Sequence, residues 1–307
     1  MSPVVEKSQP NVNLATPCRR LLNDSRRSWC PLCDSPRLVS IGSISYEKPI
    51  LFSSILIQLE KDPELWRCED CHSAFVQNVL SEDAARQLYS QGDSASRWST
   101  AAFEEYKPRE IVAELSRIFG HGKQHLDVGC SGGNLLDFSR ARGCSTTGVD
   151  YSSITREHIE RKGHAWFPSL ESLGERRFDV ITAFDLIEHL YDVEAFLQDC
   201  CLRLRPGGQL VILSGSIDCR SARIARAHWW YVAYPEHIVF PSRLFFEGLS
   251  NFKLETWLPT YAAVAYNYPL YRLLLSFLKR KALRKKNTGL PSRFPDHALI
   301  VLTKGSV

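Results

Sequence analysis

The sequence predicts an α/β protein: a doubly wound, mostly parallel sheet with helices on both faces, preceded by a small cysteine-bearing unit. Three observations carry this. Residues 126–134 read LDVGCSGGN, an apolar strand entering a small-residue turn, followed by the helix-like NLLDFSRARG and a second strand, TTGVD, that ends in Asp150. Residues 176–190, RRFDVITAFDLIEHL, and residues 193–216, VEAFLQDCCLRLRPGGQLVILSGS, read as strand, amphipathic helix, Pro-Gly-Gly stop and another buried strand. Two C-x-x-C pairs stand in the N-terminal third. Strand, glycine turn, helix, strand and terminal acid form the layout of a nucleotide-binding half of a doubly wound sheet.

Taken along the chain, residues 1–27 are polar and read as a flexible N-terminus. They lack the apolar core and small-residue cleavage site of a signal peptide. Residues 28–80 hold Cys30, Cys33, Cys68 and Cys71, two knuckles that together offer the four soft ligands of a tetrahedral zinc site. Four unrelated cysteines are the alternative. Strands around LVSIGSIS and PILFSSILIQL fill the gap between the knuckles. A closed four-thiolate site leaves no position for a reacting water, so its expected role is structural. Residues 81–107 read as a linker or lid, opening on a short helix and offering Tyr89, Trp98 and Tyr106 as rings that cover a ligand or pack on the core. Residues 108–307 read as the main domain. Cys130, Cys144, Cys200 and Cys201 fall inside its core elements without spaced partners, which favours a reducing, cytoplasmic setting. No apolar run reaches the roughly 18 residues of a membrane span.

The turn separates two ligand classes. A dinucleotide fingerprint is G-x-G-x-x-G and receives a pyrophosphate, whereas here Asp127 precedes Gly129-Cys130-Ser131-Gly132-Gly133 by two positions. An acid at the turn repels a pyrophosphate and suits a cation. This resembles motif I of the class I S-adenosylmethionine (SAM) methyltransferases, D/E-x-G-x-G-x-G, with Ser131 in place of the middle glycine. That replacement is tolerated if Ser131 does not need a positive φ. The FDVITAFDLIEHL and LRPGGQL stretches resemble the fourth strand and the turn before the fifth strand of that family. The C-P-x-C and W-R-C-x-x-C knuckles ahead of it are similar to those of bacterial methyltransferases of saccharide, lipid and secondary-metabolite pathways.

The resemblance implies a Rossmann-like seven-stranded class I methyltransferase sheet with an antiparallel last strand and a small N-terminal zinc-binding domain. It implies SAM as cofactor, held by Asp127, Gly129, Cys130, Ser131, Gly132 and Asn134 at the turn, Asp150 and Tyr151 after the second strand, Ser169 and Leu170 after the third, and Phe184, Asp185 and His189 after the fourth. The expected activity is methyl transfer to a small-molecule, saccharide or lipid-linked acceptor. A zinc-ribbon RNA methyltransferase and a non-catalytic SAM-binding protein are the alternatives.

On the acceptor side, residues 218–249 concentrate His228, Trp229, Trp230, Tyr231, Tyr234, Glu236 and His237. Aromatic rings there stack on a sugar, a ring or the methylsulfonium. His237, with Glu236 beside it, is the first candidate base for an oxygen acceptor. The pair equally suits a role in fixing the loop.

Charge adds one more feature. The chain carries a formal net charge of +4. Residues 256–295 hold no acid and eight bases, so the remainder carries 4 − 8 = −4. Within an insertion at about residues 262–290, Leu270, Leu273, Leu274, Phe277 and Leu278 share one helical face. A basic, apolar-faced helix at residues 266–286 suits an anionic membrane surface on the inner face. Packing on the core and contact with nucleic acid phosphates are the other two readings, and the strong apolar face argues against the last.

Overall fold

The computed structural model describes residues 18–44, 49–52, 55–91, 99–263, 271 and 294–305. The N-terminal region is built from β1 (Arg19–Leu21), β2 (Leu38–Ser43), β3 (Ile50–Phe52), β4 (Ile55–Leu59), β5 (Glu64–Cys68) and β6 (Ala74–Gln77). The stretch expected as one strand at residues 49–59 is an antiparallel pair, β3 with β4, joined by β1 in a separate three-stranded sheet. The second knuckle is the turn between β5 and β6, and Leu38 of β2 pairs with Cys68, so the ladder delivers both knuckles to one end.

The linker continues as α1 (Glu82–Gln91) and α2 (Phe103–Tyr106), and α3 (Arg109–Ile118) leads into the main sheet. There follow β7 (Gln124–Val128), α4 (Asn134–Arg140), β8 (Ser145–Val149), α5 (Ser153–Arg161), β9 (Ala165–Phe167), β10 (Phe178–Phe184), α6 (Val193–Arg203) and β11 (Leu204–Gly215). After α7 (Arg220–Ala225), β12 (Val239–Phe240) and α8 (Arg243–Glu247), the sheet closes with β13 (Phe252–Thr260) and β14 (His297–Lys304). The order is β13-β14-β11-β10-β7-β8-β9, seven strands with β14 antiparallel to both neighbours. This is the expected class I sheet. The carboxyl ends of the parallel strands and the amino end of β14 therefore lie along one edge, where ligands bind in open α/β sheets.

The elements follow from local chemistry. Leu135, Leu136 and Phe138 of α4 are buried, the apolar side that its spacing predicts. Gly133 precedes α4 at φ +73, and a Cβ there would sit 2.5 Å from Ile159 Cδ1, so glycine suits both the backbone and the close approach of α5 at this turn. Asp192 caps α6 by accepting from Ala195 N–H at 2.8 Å. The Pro206-Gly207-Gly208 stop is absorbed into β11: Phe178 pairs with Leu204, and the ladder resumes at Val180 with Gln209 across a bulge.

One strand crosses the boundary expected near residue 80. β12 lies between the fifth and sixth sheet strands in sequence, yet pairs with β6, Val239 with Phe75 and Phe240 with Ala74. Ser242 N–H donates to Ser73 Oγ at 3.0 Å, and Ser242 Oγ donates to the Cys71 carbonyl. Leu80 N–H donates to Tyr234 Oη at 2.8 Å, and Tyr191 Oη donates to the Leu80 carbonyl at 3.0 Å. Phe75, Trp229 and Phe240 are fully buried in one core cluster that runs through both regions. Each ring contributes about 1.5–3 kcal/mol of burial. The basic helix expected at residues 266–286 falls, except for Tyr271, outside the described residues.

Candidate functional site

A cleft of about 610 Å³ opens along the ligand-bearing edge of the sheet. Its cofactor side is built from the turn after β7. Gly129 N–H donates to the Val149 carbonyl at 2.8 Å, which folds the turn over the end of β8. Asp150 then accepts from Ser131 N–H at 3.2 Å and from Ser152 N–H at 3.0 Å. Burial pushes the Asp150 carboxyl above its ordinary value, and these two donors oppose the shift. Ser131 has φ +46, so the serine does occupy the left-handed region that the family's glycine would take at no cost.

Asp127 is 4% exposed and accepts from Thr182 Oγ1 at 2.6 Å. Behind it, His125 bridges Ser139 and Thr182, at 2.7 and 2.8 Å. Burial pushes the Asp127 carboxyl up to about 7. Asp185, at φ +50 after β10, faces the buried Lys107 ammonium at 3.6 Å. Asn134 is tied to the segment before α2: its amide donates to the Ser99 and Ala101 carbonyls, each at 2.9 Å. Gly129, Cys130, Ser131, Gly132, Asn134, Asp150, Tyr151, Phe184, Asp185 and His189 all line the cleft. Ser169 and Leu170 do not: Ser169 is engaged in a local turn with Ser172, and Leu170 packs on the core. Asp127, Asp150 and Asp185 against Lys107 make this side of the cleft suit a cationic ligand such as the SAM sulfonium and ammonium.

The opposite side is aromatic and holds three imidazoles. His189 Nδ1 donates to the Glu236 carbonyl at 2.7 Å, and Tyr89 Oη also reaches that ring, at 3.0 Å. His237 Nδ1 donates to the Tyr231 carbonyl at 2.6 Å, and its ring packs 4.3 Å from the Tyr231 ring. Burial, then the neighbouring His189, push the His237 pKa down. Glu236 acts through its carbonyl in these contacts. Trp230, Tyr231 and His297 complete the wall. Sequence reasoning missed Lys107 and His297. The signal for His297 was its place at the start of the antiparallel last strand, which puts it on the ligand edge.

Tyr231 reaches the cleft because β11 ends in Gly215, whose Cβ position lies 2.2 Å from the Tyr231 ring. Gly215→Ala is therefore expected to displace that ring and lower stability by about 1–3 kcal/mol. A denaturant midpoint equal to that of the unsubstituted protein would contradict this close approach.

Two groups among the described residues could hold a metal ion. Cys30, Cys33, Cys68 and Cys71 place their sulfurs within 4.8 Å of one another, with Cys30–Cys71 at 3.7 Å and Cys33–Cys68 at 3.6 Å. Tetrahedral zinc with bonds of about 2.3 Å needs a sulfur–sulfur edge of roughly 3.8 Å, so the four thiols fit it. Glu188, His189 and His237 form the second group, within the cleft. The buried Glu188 carboxylate there already accepts from Ser214 Oγ at 3.0 Å and from Tyr231 Oη.

Residues 100–250 match the protein family described as "Methyltransferase domain". The ubiquinone biosynthesis O-methyltransferase of Idiomarina loihiensis is 33% identical over 133 residues, covering 38% of this chain and 54% of that protein. The enzyme of the same name from Coxiella burnetii is 30% identical over 149 residues, covering 44% and 62%. The chain thus spans little more than half the length of these curated relatives. A solved structure, the N-methyltransferase NodS of Bradyrhizobium japonicum with S-adenosyl-L-homocysteine, is similar at 14% identity and a TM-score of 0.47, over 72% of this chain and 98% of that one. Residues 100–250, carried on the seven-stranded sheet and its acid-flanked glycine turn, thus form a methyltransferase domain.

Proposed function

We propose that this chain transfers the methyl group of SAM to a hydroxyl oxygen of a small-molecule acceptor, with saccharide and lipid-linked hydroxyls in the same class. The observation that carries this is a single cleft with acidic groups on one side and aromatic rings with three imidazoles on the other. The O-methyltransferase names of the curated relatives point the same way. SAM, when bound, supplies an electrophilic methyl on a sulfonium. Asp127 and Asp150 offer negative charge to that cation, and Asp150 stands where it accepts ribose hydroxyls. Tyr89, Tyr231 and Trp230 supply ring faces that orient the acceptor, and orientation is the larger part of a direct displacement. An imidazole of the cleft takes the hydroxyl proton. The four N-terminal thiolates hold zinc, whose part is to fold the knuckles that carry β6. The anionic-surface role of residues 266–286 rests on charge and periodicity alone.

The test is incubation with methyl-labelled SAM and a fractionated extract of the host. Label is expected in the small-molecule, saccharide or lipid fraction as a methyl ether. Label on an amine would refute the oxygen acceptor. Label lost on ribonuclease treatment would refute the acceptor class.

A further inference from the structure

Three imidazoles face the cleft, and their surroundings differ in what they do to a positive charge. We propose that His297, backed by Asp296, is the base that takes the acceptor's hydroxyl proton; this deepens the methyl-transfer reading above and rests on it.

The position follows from the topology. Because β14 runs antiparallel to β11 and β13, its first residue lies at the edge where the parallel strands end. His297 pairs with Gly215 on one side and Thr260 on the other. The backbone just before it is held at both groups: Asp296 N–H donates to the Thr260 carbonyl at 3.1 Å, and the Asp296 carbonyl accepts from Ser216 N–H at 2.8 Å.

The side chains form a dyad. His297 Nδ1 donates to Asp296 Oδ1 at 2.8 Å, and Trp230 Nε1 donates to Asp296 Oδ2 at 2.6 Å. Asp296 and His297 are each 1% exposed. Donation from Nδ1 leaves Nε2 as the nitrogen with the lone pair. That Nε2 is buried and has no hydrogen-bond partner among the described residues, although the residue lines the cleft. A buried, unpaired acceptor is costly in a native fold, and a hydroxyl donor from the cleft relieves the cost. The Tyr231 ring stands edge-on at 4.7 Å and the Trp230 ring lies at 5.9 Å, which fixes the imidazole plane.

His237 is worse placed for this step. A base becomes cationic when it accepts the proton. His237 Nδ1 rests on a neutral carbonyl, and burial and His189 disfavour its charged form more than the nearby Glu188 and Glu236 favour it. The charge left on His297 faces a buried carboxylate directly. The other titratable groups around the dyad are Tyr231, whose hydroxyl is engaged by Glu188, and Cys219, whose thiol feels Asp296. In the step itself, the acceptor O–H proton passes to His297 Nε2 as the O–CH₃ bond forms. The sulfonium C–S bond breaks and its electron pair leaves with sulfur as a neutral thioether.

The experiment compares His297→Gln, Asp296→Asn and His237→Gln with the unsubstituted protein, using methyl-labelled SAM and the extract fraction that supports turnover. SAM affinity is measured alongside by calorimetry. His297→Gln is expected to lower kcat by about 10²–10⁴-fold, to leave SAM affinity unchanged, and to remove the acidic limb of the kcat/KM profile. Asp296→Asn is expected to lower kcat in the same direction, and His237→Gln is expected to keep the limb. Retention of the limb in His297→Gln, or its loss in His237→Gln alone, would overturn the assignment. Nitrogen NMR of the unsubstituted protein with labelled histidine gives a readout that needs no acceptor and no variant. A His297 ring protonated at Nδ1 and bare at Nε2 supports the dyad, and the opposite tautomer refutes it even if the acceptor reading itself fails.

Discussion

Replacing Cys68 with serine, or stripping metal with a strong chelator, is expected to abolish methyl transfer while SAM still binds. The cofactor side of the cleft is made by β7, β8, β10 and the turn at Gly129 to Gly133. The acceptor wall is different. β12 hangs on β6, Ser242 is tied to Cys71 and Ser73, and Tyr234 is tied to Leu80. Cys68 ends β5 and Cys71 precedes β6, so the four-cysteine cluster sits at the turn of the hairpin on which the wall rests. Structural zinc contributes on the order of 10–16 kcal/mol in small domains, as much as the whole stability of an ordinary fold. Without it, β6 and the wall lose their order, and a displacement of about 1 Å in acceptor alignment costs roughly 10²-fold in rate. Calorimetry with SAM and a labelled-methyl assay, run on the same metal-free sample, separate the two halves. Full transfer activity after complete metal removal would refute the coupling, and parallel loss of SAM binding would place the knuckles under the whole fold rather than under one wall.

The coupling was not legible in the sequence, and the reason is physical. Buried parallel strands are continuous apolar runs, so residues 178–184 announce themselves and appear as β10 at those bounds. The glycine turn is likewise local chemistry, and Asp127, Gly129 and Asp150 converge where chain order put them. β12 is two residues long and exists only because β6 offers a free edge, a tertiary fact with no local signature. Lys107 and His297 enter the cleft for a similar reason, through sheet order and not through a motif. Ser169 and Leu170 were placed by sequence order alone, and the loop after β9 turns its polar groups on itself instead. Ser131 reversed its condition: its φ is positive, and the turn keeps a serine in a glycine's conformation by tying its N–H to Asp150.

Asp127 gives the second large effect, in SAM binding against pH. Its carboxyl, pushed up to about 7 chiefly by burial, is half protonated near neutrality in the free protein. A bound cation favours the ionised form. Affinity is therefore expected to fall as pH drops through 7 and to level off above it, with binding at pH 6 about tenfold weaker than at pH 8. Asp127→Asn keeps the shape and the acceptor for Thr182 but removes the charge. It is expected to flatten that profile and to weaken binding at pH 8 by about 10–10² fold, the loss of a charge-assisted contact. Stability should move the other way. An aspartate that titrates near 7 folded and near 3.8 unfolded binds more protons in the fold between those values, so stability falls as pH rises through that window. Above pH 7 the unsubstituted protein carries this full cost and the asparagine variant does not, so the variant should melt higher. Opposite changes in melting temperature and SAM affinity mark Asp127 as a group kept in an unfavourable place for its ligand. Should both fall together, the residue is structural. A pH-independent affinity in the unsubstituted protein would remove Asp127 from cofactor recognition.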